Sequence, residues 1–145
     1  MDPIDDVRFY TLIRSRLEHE DNLVVHRLSW LMASQAFLFT AYAISASGLA
    51  TAAGAGYGPL QGMFRLMPVV GLISTVLIWM GMVAALRAMA WLRSLYSARI
   101  KDEAALGVPP ALSPHEFRMW GLAAPRFLPA IFVVAWLILL VFALR

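Results

Sequence analysis

The chain has 145 residues, which is one domain's worth; 61% are hydrophobic and only 14% are charged, against about 25% charged in a soluble domain. With a mean hydropathy of +0.70 it reads as an integral membrane protein rather than a soluble one. Cysteine is absent, which excludes disulfides, thiolate metal sites and cysteine catalysis, and the net charge of +3 is small enough that its distribution matters more than its sum.

The chain opens on acids, Asp2, Asp5 and Asp6, and its first apolar run begins near Leu28, which is not the pattern of a cleavable signal peptide. Residues 3–27 hold no internal proline or glycine. Asp5 and Asp6 suit a helix start, and Arg14–Glu18 and Arg16–Glu20 are spaced to pair along a helix. One helix is expected from the N-terminus into the first span, with residues 1–27 as a cytoplasmic region and 28–145 as a three-span transmembrane domain. Tyr10, Leu17, Val24 and Leu31 repeat every seven residues, with Ile13 beside them, and form a coiled-coil seam. That seam fits packing on the chain's own 88–106 helix or a parallel bundle of identical subunits.

"RLEHEDNLVVHRLSWLMASQAFLF", residues 16–39, passes from dense charge to none. His19 and His26 are seven apart, two helical turns, and HExxH spacing is missing, so neither a metal site nor hydrolysis is indicated. No phosphate loop or nucleophile elbow occurs elsewhere. The chain is read as a non-enzyme without a cofactor.

Three uncharged stretches are long enough to span: about 28–48, 66–86 and 127–144, the second bounded by Arg87 so that the spans run about 28–48, 66–87 and 127–144. In the first, Ser29, Ala33, Ala36, Thr40, Ala43 and Ser47 share roughly 80° of helix arc, a small-residue packing stripe. Gly71, Ser74, Gly81, Ala85 and Ala88 make a comparable stripe in the second, and the two stripes are expected to pack within one subunit or across two. Mid-span Gln35 belongs to a row with Asp21, Leu28 and Tyr42. A buried amide is costly unless satisfied, so Gln35 either bonds a neighbouring helix or lines a wet path between subunits. The hydroxyls of Ser34, Ser45 and Thr75 are weaker candidates because they can bond their own backbone.

"GLATAAGAGYGPLQGM", after the first span, suits a short flexible external connection. The loop 88–126 should begin as a continuation of the second span. It carries a capping box at Ser113, Pro114 and Glu116 that starts a short interfacial helix to about Ala124. Pro129 lies just inside the third span, where it is tolerated in a first helical turn and would kink the helix otherwise. Arginines concentrate before the first span and in the 88–126 loop. The positive-inside rule then places the N-terminus in the cytoplasm and the C-terminus outside. Arg93, Arg99, Arg118 and Arg126 would meet anionic lipid headgroups. Arg8, Arg14 and Arg16 lie farther out, and rings of them in a bundle could hold a nucleotide or oligonucleotide by its phosphates.

The pattern "RSRLEHEDNLVVHRLSWLMASQAFLFTAY", followed by two further spans, resembles small bacterial membrane effectors of anti-phage defence, SLATT-like proteins and the Hailong-type membrane effector. The resemblance covers about the first 45 residues and is architectural. It implies a bacterial inner-membrane location and a small oligomeric pore held silent or released by a nucleotide-derived signal; for a pore a homo-tetramer or pentamer is expected, and a partner protein encoded nearby belongs to the adaptor alternative. The expectation is therefore an all-α, homo-oligomeric channel whose candidate pore or gate row is Asp21, Leu28, Gln35 and Tyr42. The alternative is a non-conducting adaptor or regulatory subunit of another membrane protein.

Overall fold

The computed structural model describes residues 3–51, 57–99 and 121–144, and it is helical there except for a turn at Leu122. Helix α1 runs unbroken over Pro3–Thr51, α2 over Tyr57–Arg99 and α3 over Ala123–Leu144. At about 1.5 Å per residue these are on the order of 73, 64 and 33 Å long. Each contains a window long and apolar enough to cross a membrane, with mean hydropathy rising from 1.2 in α1 to 2.3 in α2 and 2.9 in α3. Only α3 is close to a hydrocarbon thickness of about 30 Å. Helices α1 and α2 form an antiparallel pair that extends well past it, and α3 packs chiefly on α2.

The pair is stitched by a seven-residue rhythm. On α2, Pro68, Thr75, Met82, Met89 and Tyr96 are all buried, and Ala85 lies on the same side. On α1 the facing residues are Tyr10, Ile13, Val24, Leu31 and Gln35. Two clusters hold the part beyond α3: Tyr10, Ile13 and Tyr96, and then Val24, Ala85 and Met89, with Leu17 packed against both. The seam of α1 is thus covered by the chain's own α2. At the far end Arg99 binds Asp6 at 3.0 Å and lies 4.6 Å over the Phe9 ring, closing the pair as a latch.

Three boundaries differ from expectation. The glycine-rich "GLATAAGAGYGPLQGM" is mostly helical: α1 reaches Thr51 and α2 starts at Tyr57, leaving 52–56 between them. A Cβ at Gly48 would sit 2.7 Å from the end of the Leu60 side chain, whereas nothing lies within 4 Å of one at Gly58 or Gly62, so these glycines are carried inside the helices at a modest cost. The second span is accordingly part of a helix that begins nine residues before Leu66. Helix α3 starts at Ala123, so Pro125 occupies the first turn and Pro129 falls in the second. There Pro129 removes one backbone bond, and both prolines are buried. The expected interfacial helix at 114–124 lies outside the described residues up to 120, and Ala123 and Ala124 already belong to α3.

Tyr96→Ala should cost about 3 kcal/mol by removing the ring that fills the Tyr10–Ile13 cluster. Leu12→Ala, at a residue 58% exposed, should stay within about 0.5 kcal/mol. Thermal melts of the two variants in detergent check this pair.

Candidate functional site: an amide clamp and an uncovered helix face

The three helices meet at Gln35. Its side chain is fully buried. The Trp136 indole Nε1–H donates to Gln35 Oε1, and Gln35 Nε2 donates to Ser74 Oγ at 3.3 Å. Ser74 in turn donates to the Gly71 carbonyl at 3.1 Å, which also accepts from Thr75 at 2.7 Å. One amide therefore ties α1 to both other helices. Trp and Gln side chains in an apolar bundle each need a partner, and here they supply one another.

Aromatic packing fixes the same point. Phe39 stacks on Trp136 with centroids 4.3 Å apart and planes 5° from parallel, and Phe132 lies 6.0 Å from Phe39. Tyr42 meets Trp136 edge-on at 6.3 Å and stacks on Phe64 at 4.7 Å. Beneath the indole, Gly71 leaves the space the ring occupies, for a Cβ there would overlap Trp136. Gly81 serves another contact: Arg27 Nη1 donates to its carbonyl at 2.6 Å, with the guanidinium laid close over the glycine.

The row Asp21, Leu28, Gln35 and Tyr42 is placed on the inner side of α1 along its span: Gln35 is buried, Leu28 and Tyr42 are half-buried and only Asp21 is exposed. The small stripe is placed oppositely. Ser29, Ala33, Ala36, Thr40, Ala43 and Ser47 are all exposed, so packing of this stripe on α2 within one chain is not what the structure shows. The reason is the clamp, because Gln35 and Leu31 turn toward α2 and α3 and rotate the stripe away. The stripe continues beyond the span through Asn22, Glu18, Ser15 and Thr11, all exposed. Its hydroxyls are satisfied locally, Ser29 on Val25, Thr40 on Ala36 and Ser47 on Ile44, at 2.8–3.0 Å. Ser34, Ser45 and Thr75 likewise bond their own helices. Among the α2 stripe residues Gly71 and Ala85 are buried, against α3 and α1 respectively.

Arg8, Arg14 and Arg16 are exposed but diverge around α1, with Arg8 and Arg16 about 80° apart. Arg14 is engaged, donating to the Tyr10 hydroxyl at 2.9 Å and to Glu18 at 3.1 Å. Those two bonds, Tyr10 first, raise its pKa above the ordinary arginine value. The three are not gathered into one phosphate site within a chain. His19 and His26 are both exposed.

Sequence reasoning passed over Trp136, although a mid-span indole is a donor that needs an acceptor and Gln35 is the mid-span amide. It also passed over the 68–75–82–89–96 heptad, in step with the 10–17–24–31 row. No known family, curated protein or solved structure matches this chain.

Gly71→Ala should lower stability by about 1–3 kcal/mol through overlap with the indole, and the same substitution should cost much less when made in a Trp136→Leu background. A double-mutant cycle of Gln35→Leu with Trp136→Phe should give a coupling of about 0.6–1.7 kcal/mol. Unfolding equilibria in mixed micelles measure both.

Proposed function

We propose that the chain is a multi-pass protein of the bacterial inner membrane that forms a homo-oligomeric channel, with the outward face of α1 lining the path. The N-terminus and the extended α1–α2 pair face the cytoplasm, on the arginine distribution. The observation that carries this reading is the uncovered stripe of α1. It is uncharged from Ser29 to Thr51, made of small side chains, and studded with hydroxyls at Ser29, Thr40 and Ser47. Bulky apolar residues flank it, including Met32, Phe37 and Ile44, all more than two-fifths exposed. In a ring of copies those flanks suit subunit contacts while the stripe faces the axis. Glu18 and Asn22 would stand at the cytoplasmic mouth. This reading replaces Gln35 as a pore residue, because its amide is already occupied within the chain.

A second reading is a dry helix–helix contact made by a non-conducting adaptor. It is favoured by the local satisfaction of the stripe's hydroxyls, which leaves them no need of water. The stripe would then receive a helix of another membrane protein.

Native mass spectrometry of the purified chain should give a discrete tetramer or pentamer, and proteoliposomes should pass ions. Ala36→Leu should cut the flux tenfold or more, while Val134→Leu on the outer side of α3 should not. A monomer without flux at any pH would sink the channel reading, and a heteromeric complex without flux would support the adaptor.

A further inference from the structure

The outward side of α1 carries two ionisable groups that neither the clamp nor the arm uses. The seam of Tyr10, Leu17, Val24 and Leu31 repeats every seven residues against Thr75, Met82, Met89 and Tyr96 of α2. Where two helices pack at that period, every other row of the same spacing runs parallel to the seam. His19, His26, Ala33, Thr40 and Ser47 form such a row, two residues ahead of the seam, and all are exposed. Ser15, Asn22, Ser29, Ala36 and Ala43 form the adjacent row, two residues behind the seam, and are exposed as well. Each row stands about 155° round the helix from the seam. The two histidines are therefore the cytoplasmic end of the small-residue stripe itself. His26 lies next to Arg27, and His19 is about 10 Å farther out.

Charge round this end is one-sided. Between Ser15 and Ser47 neither row holds Asp, Glu, Lys or Arg, so its ionisable groups are His19 and His26. Helices α2 and α3 pack on the other side of α1 and contain no carboxylate. On α1 itself no carboxylate follows Asp21. Glu18, beside His19, is bound by Arg14 at 3.1 Å. Glu20 and Asp21 lie about 50° to either side of the seam, away from both rows. Arg16 is exposed and flanks His19 with positive charge, while Arg27 is held on the Gly81 carbonyl.

We propose that the path carries small anions such as chloride, admitted past His19 and His26 when their imidazoles are charged. This rests on the stripe lining a conducting path and names what that path passes. Histidine is the side chain that changes charge between about pH 5 and 8. Lowering the pH through that range adds positive charge at both positions of every copy, on walls that hold no opposing carboxylate. A confined mouth focuses such a field and raises the local anion concentration by about tenfold or more, while cations are repelled. The small side chains and hydroxyls beyond Ser29 carry no charge that reverses this preference.

The test records the full chain in planar bilayers under a potassium chloride gradient, at pH 6 and at pH 8. The reversal potential should show chloride passing about tenfold over potassium at pH 6, with most of that preference lost at pH 8. The double variant His19→Gln, His26→Gln should behave at pH 6 as the unaltered chain does at pH 8, with helix content and oligomer mass unchanged. His26→Arg should keep the chloride preference at pH 8. Potassium preference at pH 6, or an unaltered pH profile in the double variant, overturns the proposal and leaves the channel reading standing. Absence of current at every pH overturns the channel reading and this assignment with it.

Discussion

A carboxamide buried among apolar helices has to find both a donor and an acceptor, or it costs several kcal/mol. Gln35 meets that demand by spending its oxygen on Trp136 and its nitrogen on Ser74. The rest of the arrangement depends on this. The bond to Ser74 sets the rotation of α1 against α2. The bond to Trp136 sets the height of α3, the shortest of the three described helices. Gly71 is then required under the indole, and Phe39 and Tyr42 close around it. With Gln35 turned inward, the stripe of Ser29, Ala33, Ala36, Thr40 and Ala43 faces outward.

Helices α1 and α2 outrun α3 because they have each other. Beyond the level of Arg27 their contact surface is ordinary coiled-coil packing, Val24 on Ala85 and Met89 and Tyr10 on Tyr96, finished by the Asp6–Arg99 pair. The extension is therefore a stiff arm continuous with the apolar part. A force on the Arg99 latch is carried by unbroken helix toward the Gln35 clamp. If conduction is controlled from the charged end, this pair of helices is the mechanical link available to it.

Much of the fold was legible in the sequence. Charge-free runs located the three apolar helices, and the absence of proline and glycine in 4–27 predicted the unbroken α1. The row Tyr10, Val24 and Leu31 is where α1 meets a helix. Local glycine content misled at 48–63, because single glycines inside an apolar helical run cost only about 1 kcal/mol each and need not end it. Proline at 129 misled similarly, since Pro125 was equally fit for the first turn. At the site, Gln35 was singled out from cost alone, but its two readings could not be separated without knowing that Trp136 reaches it. That contact spans 101 residues of sequence and has no local signal. The direction of the small stripe followed from the same unseen contact.

The central claim is that the clamp turns the small-residue face of α1 outward onto a path. A chain without cysteine allows a clean footprint. Single cysteines placed through 28–48 would be titrated with a membrane-impermeant thiol reagent in native membranes. The account predicts labelling at Ser29, Ala33, Ala36, Thr40 and Ala43, and protection at Leu31, Gln35 and Ser45. Labelling centred on Leu31 and Gln35, or on neither face, would contradict it.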